Sequence, residues 1–255
     1  MDITIGLAQT VVSNGNIEKN TYHHLEMIKL ASKQGADIVV FPELSLTGYE
    51  LELARELAIP DEAEHFSALS QAAVNHNVVV IAGCPLKLKQ LTKPTIGAVI
   101  CFPNGKVNFY SKQYLHTGEE EYCATGLSDY VFNVKGHQIG LAVCADFTEP
   151  LHSEKAKILE AEIYLVSALI TDKGFEVDAK ILSDIATKHK FPVLLANHIS
   201  ETGGWQGCGN NSIWNAKGEQ AHSSDSSTSS LTLCTLKGCH VKVCKTIYSE
   251  QEVTV

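Results

Sequence analysis

Short apolar runs alternate with helix-like segments along the first part of the chain. The runs ITIGLAQ, ADIVVFPE and NVVVIAG indicate buried strands, because each is short and rich in β-branched residues. A helix is predicted over 18–34, where apolar residues recur at helical spacing and Gly35 follows. A second helix is predicted near 62–75. The segment IGAVICFPNGKVNFYSK predicts a hairpin, since Asn104-Gly105 in its middle tolerates positive φ.

The same alternation continues through the second half of the chain. Helices are predicted at about 151–160 and 176–189, and the polar tract at 222–230 is expected to form a surface loop before a last hairpin. The strand-like runs are YVFNV, HQIGLAVC, EIYLVSA, FPVLLANH, NSIWNA and SSLTLCTL. This order predicts an α/β fold of mixed sheets covered by helices, with functional groups at strand ends and in loops. We find no repeat or linker, so a single domain over 1–255 is expected, closing with a hairpin and tail over about 230–255.

Composition and charge narrow the class of protein. The chain has 255 residues, of which 44% are hydrophobic and 19% charged, as in ordinary globular proteins. Its formal net charge of −9, without any basic run, argues against a nucleic-acid partner. No apolar run approaches the roughly 20 residues needed to span a bilayer, and the N-terminus lacks a signal-peptide pattern. We therefore expect a cytoplasmic protein that binds neither nucleic acid nor membrane.

Eight cysteines are scattered along the chain, and most are expected to be reduced, buried thiols. One cluster, at 234–244, contains zinc-type ligands: Cys234, Cys239, His240 and Cys244. It lacks the paired C-x2-C spacing and falls on two alternating runs joined at Lys237-Gly238. A plain hairpin is therefore the preferred interpretation, and we predict no metal site.

Three predicted strand ends carry groups that could act together. Cys144 ends one apolar run, Glu43 follows another, and Lys112 follows the second strand of the hairpin. A thiol with a pKa of about 8.5 is mostly protonated at neutral pH, so a cysteine nucleophile needs a base or a cation beside it. Taken singly, each residue has a simpler interpretation: a packing thiol, a solvated loop carboxylate and an exposed lysine.

Together the three residues could hydrolyse an amide without a metal or cofactor. Glu43 would take the thiol proton, and Cys144 would attack a carbonyl or nitrile carbon. Lys112 and the backbone N–H of Ala145 would stabilise the developing oxyanion. Ammonia or an amine would leave, and water activated by Glu43 would hydrolyse the thioester.

Three segments surround these residues: Phe41-Pro42-Glu43 with Gly48-Tyr49, Tyr110-Ser111-Lys112 with Leu115, and Gly140 through Cys144 to Asp146. In this order they resemble the carbon–nitrogen hydrolase (nitrilase) superfamily. The similarity covers about residues 3–222, because it also includes TIGLAQT near the start, GEEEYCATG at 118–126, LLANH at 194–198 and GNNSIWNAKGE at 209–219.

This resemblance implies a four-layer α-β-β-α sandwich that forms a homodimer or a higher homo-oligomer, with the cysteine on a sharp strand-to-helix turn. It also implies a second glutamate that positions substrate and lysine. Counting back from Gly126 places this role on Glu119, although Glu120 and Glu121 remain alternatives in the run of three. The implied activity is hydrolysis of a small linear amide or carbamoyl compound. A nitrile substrate and a non-catalytic binding or scaffold protein of the same fold are the alternatives.

Departures from the family pattern affect the expected substrate rather than the reaction. Ala145 stands where an aromatic residue is usual, and Asn211 where a serine is commoner. Substrate choice is expected to depend on loops around Glu119–Tyr122, Ala145–Glu149 and Thr171–Phe175. The acidic residues there, Glu149 and those at 119–121, hint at a substrate with a positive group, although a solvated loop explains them as well.

Overall fold

A computed structural model describes residues 1–224 and 228–248 of the chain. Its helices are α1 (Ile17–Lys33), α2 (Ala54–Leu57), α3 (Ser67–His76), α4 (Pro150–Ile158) and α5 (Asp172–His189), with short 3-10 helices at Leu51–Leu53, Ala63–Phe66, Glu119–Glu121 and Cys144–Thr148. Its strands are β1 (Asp2–Gln9), β2 (Ile38–Val40), β3 (Ile59–Pro60), β4 (Val79–Lys87), β5 (Thr95–Cys101), β6 (Val107–Ser111), β7 (Val131–Val134), β8 (His137–Val143), β9 (Ile163–Ala168), β10 (Val193–Asn197), β11 (Glu201–Thr202), β12 (Trp205–Gln206), β13 (Ser212–Trp214), β14 (Gln220–Ser223), β15 (Ser230–Lys237) and β16 (His240–Tyr248).

Two large sheets form the centre of the molecule. The first has the order β16-β15-β1-β2-β4-β5-β6, with β3 beside β4, and the second has the order β14-β13-β10-β9-β8-β7. The middle of each sheet is parallel: β1, β2 and β4 in the first, and β8, β9 and β10 in the second. Because parallel neighbours end at the same edge, the loops after these strands gather on one side of each sheet.

Alternation of side chains explains how four layers pack. In β4, Val79 and Ile81 point into the core between the two sheets, whereas Val80 and Ala82 point out toward α1 and α3. The second sheet alternates in the same way, with its outer face packed on α4 and α5. The layers therefore run helix, sheet, sheet, helix, and the predicted α-β-β-α sandwich is confirmed.

Most predicted elements are present, with shifted ends. The predicted helix over 176–189 begins earlier, at Asp172, and the one near 62–75 is a 3-10 turn followed by α3. The short polar strands β11, β12 and β14 were not predicted. The expected surface loop at 222–230 is wrong in part, because β14 includes His222 and Ser223, and the side chain of Ser230 is fully buried. Residues 225–227 of that tract, and 249–255 of the expected tail, lie outside the described residues.

The C-terminal cysteines lie on the predicted hairpin. Cys234 of β15 is directly opposite Cys244 of β16, and their sulfur atoms are 3.8 Å apart. His240 pairs instead with Lys237 at the turn, three residues further along. That separation along a strand is about 10 Å, too far for His240 to join the two cysteines around one metal ion. Within the described ranges, no helix is long and apolar enough to cross a membrane.

Candidate active site

Glu43, Lys112 and Cys144 follow the ends of three different strands. Glu43 comes three residues after β2 ends, Lys112 directly follows β6, and Cys144 directly follows β8. The first two belong to one sheet and the third to the other. The packing of the two sheets brings the three side chains together, although 69 and 32 residues separate them in sequence.

The loop that carries Glu43 is held tightly against β4. The N–H of Leu46 donates to the carbonyl of Gly83, 2.9 Å away. A Cβ atom on Gly83 would lie 2.3 Å from the nitrogen of Leu44 and 2.5 Å from the carbonyl oxygen of Pro42, closer than real contacts allow. Glycine at 83 therefore permits the close approach that sets the backbone position of Glu43.

Two buried histidines also support this loop. The Nε2 atom of His198 lies within hydrogen-bonding distance of the Glu43 carbonyl, and His24 Nε2 lies 2.9 Å from the hydroxyl of Ser45. Burial lowers the pKa of His24 to about 3 and that of His198 to about 4, so both rings are neutral at physiological pH. The loop is therefore supported by neutral polar contacts.

Cys144 lies on a sharp turn between β8 and the 3-10 helix that follows. Its φ of +44° is in the left-handed region, which non-glycine residues seldom adopt, so the surrounding contacts must hold it there. The carboxylate of Asp146 accepts hydrogen bonds from the N–H of Val143 at 2.9 Å, of Gln113 at 2.9 Å and of Tyr114 at 3.0 Å. This one buried side chain thus joins the cysteine turn to the segment just after Lys112.

Lys112 is fully buried between two carboxylates. Its Nζ atom lies 2.8 Å from Oε1 of Glu43 and 2.7 Å from Oε1 of Glu119. The hydroxyl of Tyr49 donates to the same Glu119 oxygen, and the N–H of His116 donates to the other at 2.7 Å. All the close partners of the ammonium are thus themselves held in place.

Burial governs the protonation of the three groups. It raises the pKa of the Glu43 carboxyl, against the opposing effect of the Lys112 ammonium. Burial and the charge of Glu43 hold the pKa of the Cys144 thiol well above its usual range. Burial alone would lower the pKa of Lys112, but Glu43, Cys144 and Glu119 reverse this effect and the pKa is raised. The resting site therefore holds a protonated thiol beside a charged lysine.

Glu43 is oriented to exchange a proton with the thiol. Its Oε1 atom is bonded to Lys112, whereas Oε2 is buried without a hydrogen-bond partner among the residues described. The Cys144 thiol donates to the carbonyl of Leu169 at 3.9 Å, and its proximity lowers the pKa of the Glu43 carboxyl. A carboxylate fixed at one oxygen and free at the other beside a thiol is suited to general acid–base chemistry.

A cavity of about 650 Å³ opens beside Cys144. That volume lies within the roughly 300–1,000 Å³ typical of small-molecule sites. Glu43, Glu119 and Ala145 contribute to its wall, and Lys112 lies behind them. The wall also includes Tyr49, Leu51, His116, Glu121, Tyr122, Phe147, Thr148, Leu169, Ile170, Thr171, Gly174, Val177, Asp178 and Trp205.

The structure brings the five predicted site residues together around this cavity. Of the three glutamates at 119–121, it is Glu119 that contacts Lys112, whereas Glu120 accepts a bond from Gly118 at its own turn. Each predicted loop contributes to the wall. Glu120 and the exposed Glu149 do not line the cavity, so they are not the acidic residues that face it.

Asn211, which stands where the family more often has serine, lies between the two sheets. Its side chain accepts a hydrogen bond from the N–H of Asn197 at 2.7 Å and donates to the carbonyl of Leu7 at 3.0 Å. It joins β10 of one sheet to β1 of the other and does not line the cavity. Its departure from the family pattern therefore concerns the contact between the sheets and not the cavity wall.

Sequence reasoning missed several residues at this site. Tyr49 and Asp146 belong to the sequence motifs but were assigned no function. Their short spacing from Glu43 and Cys144 could have indicated that they lie at the site. His198 and Trp205 carried no signal in one sequence. Gly174 and Asp178 lie one helical turn apart on α5 and both line the cavity. This shared face was missed because the predicted helix began at 176, after Gly174.

Several known proteins are similar to this chain in sequence. The model of the carbon–nitrogen hydrolase family matches residues 4–237, which extends past the predicted 3–222 into β15. A nitrilase of Pyrococcus abyssi is 29% identical over 208 residues, covering 79% of this chain and 77% of the relative. A glutamine-dependent NAD(+) synthetase of Acinetobacter baylyi is 29% identical over 169 residues, and the match covers 64% of this chain but only 30% of the synthetase.

Solved structures show the same fold. An amidase from Nesterenkonia sp. AN1, in a double-mutant form bound to acrylamide, superimposes with a TM-score of 0.83 at 21% identity, covering 92% of this chain and 90% of the amidase. The NAD+ synthetase of Acinetobacter baumannii gives a TM-score of 0.84 at 23% identity, covering 93% of this chain and 46% of the synthetase. This chain thus spans less than half of that synthetase.

Proposed function

Because the chain belongs to the carbon–nitrogen hydrolase family, we propose that it hydrolyses the C–N bond of a small linear amide through a cysteine thioester. The observation that carries this proposal is the contact of Lys112 with Glu43, beside the Cys144 thiol at the cavity wall. A base, a cation and a thiol at one point supply the groups that acyl transfer needs. Neither a metal nor a cofactor takes part in the proposed steps.

The first half-reaction forms the thioester. Glu43 takes the proton of the Cys144 thiol as the sulfur attacks the carbonyl carbon, which removes the need for a preformed thiolate. The ammonium of Lys112 and the N–H of Ala145 stabilise the negative charge on the carbonyl oxygen. The C–N bond then breaks, and the leaving nitrogen takes the proton from Glu43 to depart as ammonia.

The second half-reaction releases the acid. Water gives a proton to Glu43 and adds to the thioester carbon, and the same two donors stabilise the new oxyanion. The C–S bond breaks, the carboxylic acid leaves, and the Glu43 proton returns to the sulfur. The raised pKa of Glu43 suits this repeated exchange, because its protonated and charged forms are closer in free energy than in a solvated glutamate.

The test is ammonia release from a panel of small amides. We expect the native protein to release ammonia and Cys144→Ala to be slower by about a thousand-fold or more. Cys239→Ala, on the distant hairpin turn, is the matched control and should keep full activity. A mass increase on Cys144 equal to the acyl group, trapped from a slow substrate, would identify the thioester.

Three outcomes would contradict the proposal. Equal rates for native protein and Cys144→Ala would exclude the cysteine mechanism. Turnover of nitriles with none of the matching amides would assign the alternative activity, which the nitrilase relative suggests. If the panel gives no turnover and no acyl adduct forms, the non-catalytic alternative stands.

A further inference from the structure

The cavity beside Cys144 is rich in carboxyl groups. Glu43, Glu119, Glu121 and Asp178 all contribute to its wall. Lys112 is already paired with the first two of these. Among the residues that the structure describes, no lysine or arginine lines the cavity. A ligand's carboxylate would therefore meet negative charge without a free cation to pair with.

Asp178 is a carboxylate without a partner in this wall. Together with Gly174 and Val177 it forms the face of α5 that borders the cavity. Its side chain is half-buried and makes no hydrogen bond or ion pair with any residue in the described ranges. Burial raises the pKa of Asp178, and the nearby His116 opposes only part of this effect. A cation in the cavity would offset the cost of this buried charge.

Aromatic rings complete the surroundings of such a cation. Tyr49, Tyr122 and Trp205 line the same cavity. The hydroxyl of Tyr49 is bonded to Glu119, which leaves its ring as part of the wall. Ammonium groups bind well where a carboxylate and aromatic faces occur together, since both attract positive charge.

We propose that the cavity selects linear amides whose far end carries a positively charged amine, with Asp178 as the group that binds the amine. This inference rests on the proposed amide hydrolysis for its catalytic readout, though not for its binding readout. The amide would lie at Cys144, and the ammonium would lie at the α5 wall between Asp178 and the aromatic rings. Glu121, which is exposed, would add long-range attraction at the mouth.

Three amides of equal chain length test this proposal. They are 5-aminopentanamide, hexanamide and adipamate, which end in an ammonium, a methyl and a carboxylate. We expect kcat/KM for the aminoamide to exceed that for hexanamide by about tenfold or more, as for a hydrogen bond to a charged group. Adipamate should be the poorest of the three.

Variants of α5 identify the residue responsible. Asp178→Asn should reduce the ratio of aminoamide to hexanamide kcat/KM about tenfold, and Asp178→Lys should shift the preference toward adipamate. The matched control is Asp184→Asn on the same helix, where Asp184 is exposed and paired with Lys180 away from the cavity. This control should leave the ratio unchanged.

Binding separates this inference from the proposed function. In Cys144→Ala, calorimetry should show tighter binding of 5-aminopentanamide than of hexanamide, whether or not the native protein hydrolyses either. Absent turnover with this binding preference would overturn the proposed function and leave the selectivity intact. Efficient turnover with no preference for the aminoamide, or a ratio that Asp178→Asn does not alter, would overturn the selectivity alone.

Discussion

Lys112 is a fully buried charge that depends on its two neighbours. Ammonium and carboxylate groups lose their hydration on burial, and close opposite charges have to replace it. Two carboxylates at 2.7 and 2.8 Å do so, and one of them, Glu43, is the proposed base. We therefore propose a positioning function for Glu119, which is to keep Lys112 charged and fixed while Glu43 gains and loses protons.

Replacing Glu119 should expose this dependence. We expect Glu119→Gln to lower kcat by about 100-fold, a cost of about 3 kcal/mol for a buried charge that loses a partner. KM should change less, because the contact that is lost joins Glu119 to Lys112 and not to the substrate. Steady-state kinetics on a hydrolysed amide measure both quantities.

Glu120→Gln is the matched control for that variant. Glu120 is exposed and is the next residue in the chain; its carboxylate accepts a hydrogen bond from Gly118, and its backbone carbonyl, which the substitution keeps, accepts one from Lys93. Its replacement should leave kcat within about twofold, since surface contacts contribute little. A larger loss of kcat in Glu120→Gln than in Glu119→Gln would show that Glu119 is not the positioning residue.

For single residues, the sequence predicted the reactive groups better than it distinguished Glu119 from the glutamates beside it. The motifs around Glu43, Lys112 and Cys144 were visible because each combines a strand end with a reactive side chain. Within 119–121, counting back from Gly126 favoured Glu119 but left its neighbours as alternatives, because the choice depends on contacts of Glu119 with Tyr49 and Lys112 that no local pattern contains.

The loop after β2 shows how an element positions a reactive group. The backbone around Glu43 touches β4 at Gly83, where any side chain would collide with backbone atoms. Backbone cannot give way as a flexible side chain can, so a larger residue must displace the loop. The position of Glu43 relative to Lys112 and Cys144 should then change by a fraction of an ångström or more.

Gly83→Ala should therefore impair catalysis beyond its effect on stability. We expect a loss of about 2 kcal/mol in the free energy of unfolding, as for overpacked cores. We also expect kcat to fall at least tenfold at temperatures where the variant is folded, because misplacement of about 1 Å is costly in catalysis. Thermal unfolding and steady-state kinetics on one preparation measure the two effects.

Ala82→Gly, at the neighbouring position of β4, is the control. Its side chain belongs to the cluster packed on α1 and α3, so the variant should lose stability and keep the kcat of the folded protein. If the two variants show the same kcat at equal folded fraction, Gly83 has no special connection with Glu43.

Helices and strands could be predicted where their apolar and polar residues form a clear pattern. β4, β8 and β10 were visible because long apolar runs bounded by turns indicate central strands. β11, β12 and β14 were missed because two to four mostly polar residues carry no such pattern. The first turn of α5 was missed because Thr171-Asp172 precedes polar residues, and the cavity face at Asp178 was missed with it.

Among the buried histidines that the structure describes, two have the most strongly lowered pKa values. His24 and His198 are buried, and their lowered pKa values mean that the native protein does not protonate them until the pH falls to about 3 and about 4. In the unfolded chain a histidine takes up its proton near pH 6.5. Between these limits the unfolded state binds more protons, so stability is full above about pH 6.5 and falls as the pH is lowered.

We expect the free energy of unfolding to fall by about 2 kcal/mol per buried histidine between pH 7 and pH 5. His24→Gln should flatten this pH dependence by that amount, even though it lowers stability at pH 7. His240→Gln, at the exposed hairpin turn, should leave the dependence unaltered. Chemical denaturation at several pH values gives these numbers, and an unchanged slope in His24→Gln would contradict the assignment.

At the scale of the molecule, the resemblance implied the layers but not how they are joined. The four-layer order was implied by the family motifs and is confirmed. The joints between the sheets, such as Asn211 between Leu7 and Asn197, involve residues hundreds of positions apart and leave no local pattern. The homodimer, the cytoplasmic location and the single domain over 1–255 stay predictions.

The position of β1 has a consequence for the order of events during biosynthesis. Asp2 lies opposite Lys237 in the first sheet, so β1 pairs with a strand that is synthesised much later. On one side β1 pairs with β2, which is synthesised within forty residues. The other edge of β1, which pairs with β15, stays unpaired while more than two hundred residues are added. Such distant pairing slows folding and leaves an apolar edge open to other chains. A nascent chain of this protein therefore keeps one edge of β1 unpaired until the segment that forms β15 has been synthesised.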